Sequence, residues 1–107
     1  MTTIFHITEK EAWSEAVAAG SYTHDSLDSE GFIHLSKRDQ VVATTSRYYA
    51  AMDGLVLLEV DPAPIEADLR WEQSTNGELF PHLYAPLPID AVVAVHQWDE
   101  PAQRTFD

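Results

Sequence analysis

Three histidines sit in apolar, aromatic segments: His6 in Ile4-Phe5-His6-Ile7, His34 in Gly31-Phe32-Ile33-His34-Leu35-Ser36, and His82 in Phe80-Pro81-His82-Leu83-Tyr84. Imidazole changes charge near neutral pH and can act as acid, base or hydrogen-bonding group, yet a polar ring in a buried segment is costly without a partner. Strand alternation puts Phe32, His34 and Ser36 on one face and Ile33 and Leu35 on the other. In Leu69-Arg70-Trp71-Glu72, Arg70 and Glu72 share a face in the same way. The planar donor fork of Arg70 suits an anionic ligand, and Glu72 or Glu78 could orient a hydroxyl. The plainer account makes each histidine a core-edge ring bonded to backbone, and Arg70–Glu72 a surface pair worth little. Three such histidines on or beside separate strands tip the balance toward a site. His24, in an acidic loop, and His96, near a strand end, are set aside. Three histidines with Glu72 or Glu78 could form a metal shell, but no H-x-H or H-E-x-x-H spacing occurs and no metal is assigned.

The elements that must position these residues follow from periodicity. Thr3 to Ile7 reads as a first strand, with Phe5 on one face and Ile4 and His6 on the other. Thr8 with Glu11 fits a capping box opening a helix, whose buried stripe is Ala12, Trp13, Ala16, Val17 and Ala19 and whose end is Gly20. Ser21 to Glu30 reads as an acidic loop, with room for a short strand, that could close over a site. Ser36 can cap a second helix carrying Val41, Val42, Thr45, Tyr48, Tyr49 and Met52 toward the core. Leu55 to Val60 is apolar on both faces and should be central in its sheet. A strand follows at Leu69-Arg70-Trp71-Glu72, then a turn at Ser74-Thr75-Asn76-Gly77. Three prolines between Leu79 and Pro88 argue against a long regular element there. Asp90 to Trp98 is the last strand. The expectation is one α+β domain over 1–107, with its core at about 3–98, two helices against a mixed, mostly antiparallel sheet, and a frayed polar tail at 99–107.

Six basic against 18 acidic residues give a formal charge of −12, which argues against nucleic acid, since phosphate neutralisation supplies most of that affinity. A small anionic ligand at Arg47, Arg70 or Lys37-Arg38 remains compatible with it. The absence of cysteine excludes disulfides and thiolate chemistry. No apolar run reaches the roughly 18 residues of a membrane span, and the N-terminus lacks the pattern of a signal peptide. A soluble cytoplasmic protein with a small-molecule ligand is expected, and the sequence leaves its oligomeric state open. P-loop, G-x-G-x-x-G and G-x-S-x-G motifs are all absent.

In order, the His6, Gly31–Ser36, Leu55–Asp61, Arg70-Trp71-Glu72 and Phe80–Leu87 segments resemble a family of small bacterial and plant proteins catalogued as a conserved domain of unknown function. The resemblance runs from about Ile4 to Val95. That family is similar in turn to the ADP-ribosyltransferase fold and to the catalytic lobe of RNA 2′-phosphotransferases. The His6 strand resembles their first strand, His34-Leu35-Ser36 their His-Leu-Ser strand, and Ser74-Thr75-Asn76-Gly77 their Ser-x-Asn-Gly turn. The RNA-binding lobe of those enzymes and its Arg-His pair have no counterpart here. The resemblance implies an ADP-ribosyltransferase-like domain that binds NAD or a related nucleotide, with ADP-ribosyl or phosphoryl transfer as the activity to test. His6, His34, Ser36, Arg70, His82 and Tyr84 would hold the ligand, and His34 with Glu72 or Glu78 would act in catalysis. The choice between the two glutamates is open at this level. A non-enzymatic module binding a small ligand or protein on the same scaffold is the alternative.

Overall fold

The computed structural model describes residues 2–98, so the tail expected from Asp99 lies outside the described residues. Strand β1 (Ile4–Glu9) leads into helix α1 (Lys10–Ala19), strand β2 (Ser21–Tyr22), short helix α2 (Asp25–Ser29) and strand β3 (Ile33–His34). A 3₁₀ turn (Arg38–Gln40) opens helix α3 (Val41–Tyr48), which precedes strand β4 (Leu55–Val60). A second 3₁₀ turn (Ala63–Asp68) leads to strands β5 (Leu69–Gln73) and β6 (Leu79–Leu83). Strand β7 (Leu87–Pro88), a third 3₁₀ turn (Ile89–Ala91) and strand β8 (Val92–Gln97) complete the order.

Every pairing among these strands is antiparallel, but they form three small sheets instead of one: β1-β4-β8, β3-β6-β5 and the pair β2-β7. Phe5 and Ser36 exchange backbone hydrogen bonds of 2.8 and 2.7 Å, tying the first sheet to the second. The α+β class and antiparallel pairing match the sequence reading. The expected two helices become three because the Ser21–Glu30 stretch supplies α2 as well as β2.

Strand β4 is central and buried on both faces, as its unbroken apolar run requires. Val56, Leu58 and Val60 join Ile4, Ile33, Leu83 and Leu87 in one core cluster. Leu55 and Leu57 join Phe5, Ile7, Val41 and Trp98 in another on the opposite face. Each of these side chains contributes about 1.5–3 kcal/mol on leaving water.

Several local expectations change. Thr8 stays in β1, so Glu9 precedes the helix and offers no side-chain cap. Gly20 does end α1, at φ +91° with its N–H on the Ala16 carbonyl. Ser36 sits in the inter-sheet bridge, and the Gln40 side chain accepts the Lys37 N–H at the start of the 3₁₀ turn instead. In α3 only Val41 and Thr45 are buried, while Val42 and Tyr48 are exposed, as is Met52 beyond its end; on α1, Val17 is exposed as well.

Strand β6 runs through Pro81, in the middle of its sheet, where a residue without an N–H was not expected. The Pro81 carbonyl accepts from Leu35 N–H (3.0 Å). A strand residue points its nitrogen and carbonyl to the same side, so the nitrogen of Pro81 lies on the β3 edge. The β3–β6 ladder pairs only Ile33–Leu83 and His34–His82 and stops before Pro81. The reciprocal bond, from a residue-81 N–H to the Leu35 carbonyl, cannot form, so the loss of one ladder bond falls at the end of the two-residue β3.

Candidate functional site

The β3-β6-β5 sheet gathers most of the chemistry-bearing residues on one face. Its register sets His34 opposite His82 and His82 opposite Arg70, with Glu72 one diagonal step along β5. Phe32 stacks on His82 (centroids 4.1 Å apart, planes 19° apart) and meets His34 edge-on at 4.7 Å. The His34 and His82 rings are 5.3 Å apart, and Tyr84 lies tilted 5.2 Å from Phe32. The Arg70 guanidinium sits over the Tyr84 ring, 5.4 Å from its centroid, a cation–π placement that holds it without neutralising it.

Glu72 organises this face. One of its oxygens, Oε1, accepts from His82 Nδ1–H (2.9 Å) and from the Tyr84 hydroxyl. Those bonds, the tyrosine's first and then the histidine's, hold the Glu72 carboxyl below its usual range and keep it ionised, while the same carboxylate pushes the Tyr84 hydroxyl up. A carboxylate only accepts, so Nδ1 of His82 carries a proton, and in the neutral ring Nε2 has the lone pair. His34 has a carboxylate too: Nε2 donates to Glu30 at 2.9 Å, and that bond lowers the Glu30 carboxyl. The turn between them includes Gly31 at φ +91°, a conformation that suits glycine.

The remaining residues singled out from the sequence lie elsewhere. His6 is buried, with Nδ1 on the His34 carbonyl (2.6 Å) and Nε2 on the Tyr22 hydroxyl (2.8 Å), which is also 2.8 Å from the Thr8 hydroxyl. Burial lowers the His6 pKa to about 4 and raises that of Tyr22 to about 12, so both are neutral at pH 7. The neutral ring then donates from Nδ1 and accepts at Nε2, which uses both nitrogens inside the fold. Ser36 is buried at the inter-sheet bridge. Glu78 is exposed in the β5–β6 turn, where Asn76 Nδ2 donates to its carboxylate at 2.7 Å. Among the described residues, no three His, Asp or Glu side chains are arranged to hold a metal ion, so His6, His34 and His82 do not form a shared shell.

Residues 7–95 match a family described as protein of unknown function (DUF952). The chain belongs to the DUF952 family. The crystal structure of protein CC0527 from Caulobacter crescentus is 36% identical to it, covers 95% of this chain and 90% of its own, and superposes with a TM-score of 0.86. A double mutant of CC0527 gives the same values. Its solution NMR structure gives 36% identity, coverage of 96% and 90%, and a TM-score of 0.81. No curated protein matches the chain.

Two concavities of this DUF952 domain lie away from the ring cluster. A groove of about 530 Å³ between α1 and β2 is rimmed by Glu9, Glu11, Glu15 and Asp25, an arrangement that repels anions. Another of about 770 Å³ has apolar walls that include Ile4, Val42, Leu69 and Trp71. The alternation of β5 sends Leu69 and Trp71 to the side opposite Arg70 and Glu72.

Sequence reasoning did not single out Glu30, placing it only within an acidic loop that could close over a site. Its one signal was proximity to His34 across a glycine, and only the fold turns that proximity into a bond. The histidines set aside have structural partners. His24 Nδ1 accepts from the Ser26 N–H at the start of α2 (3.0 Å), and His96 bonds Glu59 at 2.8 Å. Among the described residues, no helix is long and apolar enough to cross a membrane.

Proposed function

We propose that the face formed by Phe32, His34, Arg70, Glu72, His82 and Tyr84 binds NAD or a related nucleotide, and that the domain acts as an ADP-ribosyltransferase-like enzyme. The observation that carries this reading is the ionised Glu72 bracketed by His82, Tyr84 and Arg70 on an open face. Arg70 is held by a ring, and among the described residues it has no carboxylate partner within ion-pair distance, so its donor fork is available for a diphosphate. Phe32 and Tyr84 offer ring surface to a base, and the second carboxylate oxygen of the half-exposed Glu72 can accept from a ribose hydroxyl. A nucleotide needs those three kinds of contact, and the residues fit it.

Glu72 takes the catalytic part in preference to Glu78. Its negative charge is fixed beside the rings and can stabilise positive charge developing at the ribose anomeric carbon as nicotinamide leaves. Glu78 is engaged by the turn that carries it. His6 supports the site from behind through the His34 carbonyl, and Ser36 fixes the strand at the sheet junction. When bound, NAD supplies the activated glycosidic bond; the chain's own residues orient it and balance charge.

Calorimetry with NAD and ADP-ribose tests the reading. Saturable binding, weakened at least about tenfold in Arg70→Ala by loss of charge-assisted bonds, is the expected outcome. Heats that do not saturate with either ligand would sink it and leave a binding module for another partner.

A further inference from the structure

We infer that Glu30 and His34 form a carboxylate–imidazole base that activates an oxygen acceptor, a hydroxyl group or water, at this site. The inference rests on the nucleotide reading above and adds the acceptor side of the reaction. It starts from proton placement. Glu30 can only accept, so the 2.9 Å bond puts the proton of neutral His34 on Nε2 and leaves the lone pair on Nδ1. Among the described residues, Nδ1 has no hydrogen-bond partner. The side chain is 51% exposed, so an acceptor from solution can reach the ring.

The ring is also held in place. Phe32 packs against its plane edge-on, His82 lies 5.3 Å away, and the backbone of His34 is anchored through its carbonyl to the buried His6 ring. Glu30 belongs to no other ion pair among the described residues, and its carboxyl is held below the usual range by His34. It is therefore ionised when the imidazole takes up charge. An imidazole with one nitrogen on a fixed carboxylate and the other open is built to accept a proton and have the resulting cation stabilised. The nearby Glu72–His82 pair does not duplicate it, because His82 is largely buried and stacked under Phe32.

The step balances as follows. His34 Nδ1 removes the proton from the acceptor hydroxyl while that oxygen bonds to the anomeric carbon of the nicotinamide-side ribose. The bond from that carbon to the ring nitrogen breaks, its electron pair staying on nitrogen, and nicotinamide leaves neutral. His34 is left as imidazolium beside Glu30 and returns its proton to solvent. Water as acceptor gives ADP-ribose, and an alcohol gives its O-glycoside. Glu30 touches no substrate and is a positioning residue; His34 is the catalytic base.

Four readings on wild type and Glu30→Gln decide the matter. ¹⁵N NMR of the ligand-free protein should show His34 as the Nε2–H tautomer in wild type and a mixed population in Glu30→Gln. NAD affinity by calorimetry should be unchanged, while kcat for nicotinamide release falls by about tenfold, less than the 10²–10⁴ that removal of a general base itself costs, because His34 remains. Added methanol should divert product to the methyl glycoside. An unchanged tautomer and unchanged kcat, with NAD still bound and turned over, overturn the dyad and leave the nucleotide reading standing. Preferential transfer to the guanidine agmatine over water and methanol also overturns it. Failure of wild type to bind NAD overturns both.

Discussion

The buried His6 network and the open His34–His82 face put the same side chain to opposite uses. His6 has both nitrogens bonded inside the protein and is kept neutral by burial. His34 gives one nitrogen to a carboxylate and keeps the other available on an exposed ring, while His82 gives Nδ1 to Glu72 and lies largely buried under Phe32. The first arrangement cements β1, β2 and β3; the second leaves bonding capacity for a ligand. Unused hydrogen-bonding capacity at an accessible ring, more than the presence of histidine, is what marks a site.

Truncating each class of ring breaks the comparison most sharply. His6→Ala strips partners from the Tyr22 hydroxyl and the His34 carbonyl and opens a cavity, so it should destabilise the fold by about 3–5 kcal/mol in urea melts. His34→Ala, at an exposed position, should stay within about 0.5 kcal/mol of wild type and instead lose turnover. Equal destabilisation by the two would erase the distinction.

The same contrast has a pH signature. The pKa of His6 falls from 6.5 in the unfolded chain to about 4 in the fold, so the unfolded state binds more protons between those values. Stability is therefore fully present above about pH 6.5 and declines as pH falls toward 4, by about 3 kcal/mol at most. Glu30, Glu59 and Glu72, each lowered by a hydrogen bond, contribute stability that is lost only as pH drops below 4.5. Urea midpoints measured against pH should show both windows in wild type and only the lower one in His6→Ala.

A smaller effect separates the two glutamates. Glu72→Gln should weaken nucleotide binding or turnover by about tenfold, a change of about 1.4 kcal/mol, whereas Glu78→Gln should leave both unaltered. Parallel losses in the two variants would move the catalytic carboxylate out of the ring cluster.

Much of this was legible in the sequence. Leu55–Val60 declares a doubly buried strand by its unbroken apolar run, and the Asn76-Gly77 turn marks the end of β5, though the strand that returns from it was not read from the sequence. The alternation of Phe32 and His34 against Ile33 and Leu35 foretold which face is open. Register was not legible: nothing local says that Arg70 faces His82, or that His6 turns away from His34's ring and grips its carbonyl. Short polar elements such as α2 carry too little periodicity to announce themselves. Pro81 misled because the rule against proline assumes a full ladder on both sides, and β3 is two residues long.

The order of strands along the chain has a consequence for synthesis. The β5–β6 hairpin closes through a five-residue turn and needs only neighbouring residues. The β1-β4-β8 sheet instead joins segments about 50 residues apart and draws its last strand from Val92–Gln97. Local pairs form early and distant ones late. On the ribosome, half of the ligand face can assemble while the central sheet still presents one bare edge of β4, and that edge stays exposed until the end of the domain has emerged.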